Sequence, residues 1–386
     1  MTISVHLAEE VKRVASAQGF DLCGVVRLTE DIGKEESAKF KSWIDEGMHG
    51  DMMYLAAKNE QNELKRARIE NAAPWAQSAI VVALNYNSGL PYSIDAAQSP
   101  DAKSRGWISR YAWFESKSEE SNTDYHDAIL GRLRKVESEF VASYQSAHPE
   151  KNVKTWCYVD TGPIVERVLA KYAGIGWVGK NCCIIHPELG SWLFLGVMLC
   201  SYDFCEEDSV SQPILIADRC GSCTRCIDAC PTQAITEPYK IDARKCISYL
   251  TIEKRGMIDE DLRASMGNHL FGCDICQDVC PWNGSENPIR LPKASQQSDF
   301  QPRRDLYSPE LATLTKLTKE EFNLKFRHSP IKRAKYEGFQ RNIAIAMGNS
   351  RERSFLPLLE EMASGPDAIV AEHAQWAARK VTSKKE

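Results

Sequence analysis

The sequence predicts an α+β protein in three parts: a mixed body over residues 1–212, a bacterial two-cluster ferredoxin module over 213–290, and a linker with HEAT-like α-helical repeats over 291–386. Three observations predict this. Helical periodicity and β-rich apolar segments alternate through the first part. Eight of the fourteen cysteines fall into two short runs in the second, and the third is a succession of short amphipathic helices.

Within the body, MTISVHLAEEVKRVASAQGF reads as an amphipathic helix rather than a signal peptide, with no twin-arginine leader. SAIVVALNY (78–86) reads as a buried strand, and the polar stretches 93–106 and 115–123 read as exposed loops. DYHDAILGRLRKVESEFVASY (124–144) reads as a helix capped by Asp124. A strand follows at 154–160, a helix at 163–174, and two strands over 182–200 joined by a turn at Pro187–Gly190. GIGWVG (174–179), followed by Lys180, matches the dinucleotide fingerprint, but its context is reversed. In a Rossmann unit the glycines follow a strand and open a helix; here a helix runs into Gly174 and a strand follows. Gly174 is therefore read as the glycine that ends the helix.

The first cysteine run, CGSCTRCIDACP, places Cys220, Cys223, Cys226 and Cys230 at C-x2-C-x2-C-x3-C before Pro231. The second pairs Cys246, after a gap of 26 residues, with Cys273, Cys276 and Cys280 before Pro281. Both end in the C-x2-C-x3-C-P of two-cluster ferredoxins, in which the fourth cysteine of a run crosses to the other cluster. The crossing predicts Cys220, Cys223, Cys226 and Cys280 on one 4Fe–4S cluster, and Cys230, Cys246, Cys273 and Cys276 on its partner. Zinc seldom uses a third cysteine two residues on and a following proline. A disulfide framework does not suit so long a chain without a secretory signal. The other six cysteines (Cys23, Cys157, Cys182, Cys183, Cys200 and Cys205) read as reduced, mostly buried thiols of a cytoplasmic protein.

A hydrophobic content of 43% with 26% charged residues is that of an ordinary globular chain, and no apolar run approaches a membrane span. Net charge is −5, which argues against indiscriminate nucleic-acid binding. Its distribution is uneven: residues 325–386 hold twelve Lys and Arg against seven Asp and Glu. A basic tail on an acidic body points to a local anionic partner such as a phosphate backbone, although a solvated helical face gives the same count. Arg333, Lys335, Arg341, Arg351 and Arg353 are the candidate phosphate contacts.

Set beside the cysteine runs, YVDTGPIVERVLAKYAGIGWVGKN (158–181) resembles the epoxyqueuosine reductase family. LKR (64–66), RYAW (110–113), DYHD (124–127), CISYLTIEKRG (246–256), GNHLFGCDICQDVCPWN (267–283) and KRAKYEGFQRNIAIAMGN (332–349) extend the likeness, in order, over nearly the whole chain. The resemblance implies a nitroreductase-like domain that binds cobalamin beside the two-cluster module. It also implies removal of the epoxide oxygen of epoxyqueuosine in the anticodon loop of tRNA, with two electrons and two protons. By the same resemblance Asp160 takes the proton-donor position, and Arg66, Asp160, Ser248 and Lys254 fall where the family contacts cobalamin or the substrate pocket. An external low-potential electron donor and a monomeric chain complete the expectation.

The chemistry asks for these parts. Reductive epoxide opening needs a strong electron donor and an acid near the leaving oxygen, and thiolate-ligated clusters work at the low potentials required. A proton donor also needs its pKa raised, which burial does and a helix N-terminus opposes. The gap between Cys246 and Cys273 is long for a plain ferredoxin; it would carry Ser248 and Lys254 over the corrin. His126 and His186 are conceivable lower ligands of cobalt, and neither is assigned. A reductive dehalogenase, a pure electron-transfer protein and a tRNA-binding module with structural clusters are the rival readings.

Overall fold

The computed structural model describes residues 7–117, 122–204, 215–284, 294–297 and 300–383. They form two compact units, each assembled from three stretches of chain. The first comprises 1–87, 125–223 and 281–297, and the second 88–124, 224–280 and 298–386. The linear boundaries near 212 and 290 thus divide the sequence, whereas the units interleave along it. Cys205, residues 118–121 and, within the 292–302 linker, residues 292–293 and 298–299 lie outside the described residues.

The first unit is built on a four-stranded antiparallel sheet in the order Leu22–Arg27, Ser78–Asn85, Leu193–Cys200, Thr155–Tyr158. All eight residues of Ser78–Asn85 are buried, which explains their unbroken apolar run: both faces of this strand are covered. Ala79, Val81 and Ala83 pack with Leu169 and Ala170 of the helix Glu166–Tyr172. On the other face, a Cβ at Gly196 would meet Val82, Ile129 and Leu133, the last two from the helix Tyr125–Ala147. Gly24 has no alternative residue: a Cβ there would sit 2.0 Å from the carbonyl oxygen of Ala173.

Two of the expected connections are different. The strand Ile184–Ile185 does not form a hairpin with Leu193–Cys200; it pairs with Trp177–Val178. Only a bridge between His186 and Gly190 closes the turn at Pro187. The physical reason lies in Gly176 and Gly179, whose missing Cβ atoms let the 176–179 segment lie against Ile185. The polar stretch 115–123 is not a loop throughout either. Phe114–Lys117 and Asn122–Thr123 form a hairpin that adds Phe300–Pro302 as a third strand. Main-chain pairing there does not require an apolar face.

The second unit joins the remaining cysteines to the C-terminal helices. Short helices Arg225–Asp228 and Ile275–Asp278 lie within the two cysteine runs, and Ile247–Ile252 follows Cys246. Asp274 binds the 107–110 segment, accepting hydrogen bonds from Trp107 Nε1 at 3.0 Å, the Arg110 main chain at 2.8 Å and the Ser109 hydroxyl. Asp278 accepts from the main chain and hydroxyl of Ser93. Arg110 is fully buried and donates to the carbonyls of Ser88, Leu90 and Pro91. The helix Tyr336–Ser350, with residues 339–348 all buried, is packed by Ala368–Thr382 and Leu356–Ala363.

Candidate active site

In the first unit, the turn after Thr155–Tyr158 carries the expected acid. Asp160 has φ of 57°, in the left-handed region that Asp tolerates better than most residues. Helix begins only at Glu166, with Val165 in the capping position, so Asp160 is not an N-cap. Tyr125 Oη donates to Asp160 Oδ2 at 3.2 Å, and His126 Nε2 lies 3.4 Å from the same oxygen. These partners open the helix Tyr125–Ala147, and the Tyr125 ring is held by stacking on Phe194 at 4.2 Å and on His126 at 3.9 Å. The Asp160 side chain nevertheless stays 68% accessible.

The electrostatics run against the expected raised acid. The hydrogen bond from His126 is the main influence holding the Asp160 carboxyl below its usual range. The charges of His126 and Arg167 and the Tyr125 bond act in the same sense, against the effect of burial. The raised carboxyl is Glu166, pushed up to about 7 by burial and then by the charge of Asp160. Its Oε1 is buried without a hydrogen-bond partner, as is the hydroxyl of Tyr158. Arg66 works from the side: its guanidinium donates to Gly162 O at 2.8 Å and to Tyr54 O at 3.0 Å. One cation thereby ties the Asp160 turn to a loop whose Met53 and Tyr54 are 66% and 44% exposed.

In the second unit Ser248 and Lys254 occupy, and directly follow, the helix Ile247–Ile252, and both are half-buried. Arg341 shapes this excursion. It donates to the carbonyls of Leu250 at 2.7 Å, Gly256 at 2.8 Å and Lys254 at 3.0 Å, while Asn342 donates to Thr251 O and Leu270 O at 2.9 Å. Arg341 is 1% exposed, so it is removed from the candidate phosphate contacts. A buried guanidinium satisfied by three carbonyls has no donors to offer a phosphate. Arg333 is ion-paired with Glu253.

The described cysteines form no disulfide. Cys273 lies beside Cys246 and Cys230, and burial together with these neighbouring sulfurs pushes its thiol well up. A thiol that burial and neighbouring sulfurs keep from ionising in the free protein is one whose thiolate an iron cation would neutralise, so the chemistry of Cys273 and its neighbours fits a cluster. Cys23 and Cys200 are different: burial is the main influence that pushes each thiol up to about 12, with the Glu9 charge adding to it at Cys23, which keeps both inert as thiols. His186 Nδ1 accepts from the Glu188 and Leu189 main chain at 3.2 Å and serves its own turn.

Tyr125, Glu166 and Arg167 were not singled out as site residues from sequence, and His126 only as a conceivable cobalt ligand, although DYHD and VER were visible as pieces of the resemblance. Only the fold brings residues 125–126 to 160. A family model described as "Epoxyqueuosine reductase QueG, DUF1730" matches residues 66–161, and one described as "4Fe-4S double cluster binding domain" matches 219–283. The chain is 35% identical to the epoxyqueuosine reductase of Pseudomonas aeruginosa over 97% of its own length and 94% of that protein. For the epoxyqueuosine reductase of Escherichia coli the identity is 36%, over 96% of this chain and 89% of that one.

The chain belongs to the epoxyqueuosine reductase family.

A solved epoxyqueuosine reductase bound to an epoxyqueuosine-modified tRNA-Tyr stem loop superposes with a TM-score of 0.79 at 30% identity, covering 99% of this chain and 92% of that one. The enzyme from Streptococcus thermophilus gives 0.77 at 25% identity, covering 100% and 92%. As a member of the epoxyqueuosine reductase family the chain is an oxidoreductase with a 4Fe–4S double-cluster domain. This removes the reading of a pure electron-transfer protein. No helix among the described residues is long and apolar enough to cross a membrane.

Proposed function

We propose that this enzyme reduces epoxyqueuosine to queuosine at the wobble position of tRNA, acting in the cytoplasm as a monomer with cobalamin and two 4Fe–4S clusters. The epoxide takes up two electrons and two protons; both C–O bonds to its oxygen break, the alkene forms and water leaves. Cobalamin, when bound, supplies the low-potential electron chemistry at carbon, and the clusters relay single electrons from an external donor. The body that would hold the corrin is the nitroreductase-like part within residues 1–212, the clusters belong to 213–290, and the HEAT-like helices of 291–386 offer basic residues to tRNA phosphates.

The observation that carries the reading is the accessible Asp160 carboxylate, held by Tyr125 and His126 in a chain of this family. The neighbouring residues suit a broad amphiphilic group: exposed Met53 and Tyr54 offer apolar surface, while Arg66 holds their loop to the turn at Gly162. Asp160 donates the proton to the leaving oxygen. Exclusion of water by bound substrate raises its pKa toward that task, and His126 is near enough to return a proton afterwards. Ser248 and Lys254 offer a hydroxyl and an ammonium to the amides of the corrin or to the substrate.

The test is mass spectrometry of nucleosides from epoxyqueuosine-containing tRNA, after anaerobic incubation with cluster-loaded protein and a low-potential reductant, with and without cobalamin. Queuosine is expected only with cobalamin. No conversion by protein verified to carry iron and cobalt would reject the assignment.

A further inference from the structure

The GIGWVGK segment is conspicuous in sequence, and neither nucleotide binding nor the proton chemistry at Asp160 accounts for it. In the first unit it lies against the start of the first cysteine run. Trp177 is 2% exposed and pairs in register with Ile185. Its ring meets that of Trp282 edge-on, with centroids 4.9 Å apart and planes at 80°. This packing directs the indole edge inward. The Nε1–H group is shut off from solvent, and among the described residues no nitrogen or oxygen accepts from it. It lies against the Cys220 sulfur, toward which the main-chain N–H of Lys180 is also directed. A buried indole N–H calls for an acceptor, and the Cys220 sulfur is the one this packing offers.

Lys180 adds a charge to the same turn. Its ammonium donates to Gly221 O at 2.6 Å and to Cys223 O at 2.9 Å, spanning the loop between two predicted ligands of one cluster. Gly221 has φ of 50°, and a Cβ there would meet nothing within 4 Å; the constraint is on the backbone, which Lys180 pins from outside. Arg219 lies over the Trp282 ring at 5.8 Å, while Asp218 accepts from the Cys220 main chain at 2.7 Å. Among the described residues, the Cys220–Cys223 loop thus meets the Lys180 ammonium and two N–H groups directed at the Cys220 sulfur, with the Asp218 carboxylate opposing them.

We propose that Trp177 and Lys180 are redox-tuning residues: their N–H dipoles and ammonium charge make the 4Fe–4S cluster ligated by Cys220 and Cys223 easier to reduce than it would be without them. Reduction adds one electron and no proton to a cluster, so its potential follows how well the surroundings accommodate added negative charge. Hydrogen bonds to ligating sulfur and nearby cations do this directly. The electron comes from an external low-potential donor, and the two residues act on one cluster and not on the other. The inference rests on the double-cluster assignment and is independent of the tRNA substrate.

The experiment is an anaerobic redox titration of the reconstituted full-length protein with dithionite and viologen mediators, followed by electron paramagnetic resonance. Trp177→Phe, Lys180→Met and Lys180→Arg are compared with the parent, with iron and sulfide measured for each. Trp177→Phe and Lys180→Met are expected to lower one of the two midpoints and leave the other unmoved, while Lys180→Arg restores most of the Lys180 effect. Unchanged midpoints in loaded protein would overturn the proposal, as would equal shifts of both. If Trp177→Phe alone loses iron, the Lys180 pair decides. Iron loss from both Trp177→Phe and Lys180→Met would give the segment a holding role and overturn the tuning one. If the parent converts no epoxyqueuosine but the selective shift remains, the tuning stands and the substrate assignment falls.

Discussion

At Asp160 a single carboxylate is asked to do two things: to stay anchored by Tyr125 and His126, and to give up a proton. Asp160→Asn keeps the shape and both neighbours but cannot supply the proton. Turnover is expected to fall by roughly 10²–10⁴, the usual contribution of a general acid, with iron content unchanged. A queuosine assay beside an iron determination checks this; full activity would remove Asp160 from the mechanism. Glu166 gives a prediction of a different kind. Burial pushes its folded pKa up to about 7, above the 4.5 of a free glutamate, so the folded chain keeps a proton that the unfolded chain releases. Stability attributable to this group is therefore lost as pH rises from about 4.5 to 7 and is level above that window. Glu166→Gln should flatten this slope in urea unfolding followed at several pH values, and an unchanged slope would contradict the assignment. Asp160 itself was legible from sequence through its motif. Its partners were not, because Tyr125 and His126 lie 35 and 34 residues away and only the register of strand and helix brings them together.

At the scale of elements, the C-terminal helix Tyr336–Ser350 does more than pack. Arg341 and Asn342 take up carbonyls left open by the end of Ile247–Ile252 and the residues after it, so this helix sets the shape of the Cys246–Cys273 excursion. Arg341→Leu leaves those acceptors buried and unpaired, a cost on the order of 3 kcal/mol or more. A lowered thermal unfolding midpoint is the expected readout, with Lys254 and Ser248 displaced by loss of their support. A basic residue in a basic tail looks like a phosphate contact until its burial is known, which is why sequence reasoning misplaced Arg341. The reversed order around Gly174 was enough to exclude a nucleotide loop, and the structure agrees: Gly174 has φ of 73° directly after the helix that it ends. The hairpin at 114–123 was hidden because polar strands paired through their main chain carry no apolar alternation.

For the whole molecule, an acidic body with a basic C-terminal part predicts tRNA affinity that weakens steeply with salt. Replacing Lys335, Arg351 and Arg353 together by Gln should reduce the salt slope measured by filter binding. A slope unchanged in the triple variant would move the phosphate contacts elsewhere. The three kinds of structure along the chain were legible because cysteine spacing, strand runs and helical periodicity are local signals. The interleaving of the two units was not, since it depends on contacts between residues far apart in sequence.

Asn283 is fully buried in the first unit, where its Oδ1 accepts from the Ser191 main chain and its Nδ2 donates to the Ser191 hydroxyl, both at 2.7 Å. Gly190 leaves room for it, since a Cβ there would lie 2.1 Å from Asn283 Oδ1. During synthesis this slot must wait. The ribosome makes Ser191 long before Asn283, and at about 5–20 residues per second the interval lasts several seconds. Over that time the nascent sheet has its four strands but lacks the plug that completes it, while both cysteine runs emerge still unpacked. Closure of the first unit thus waits for residues 281–283, and a pause in translation near residue 280 would prolong the wait.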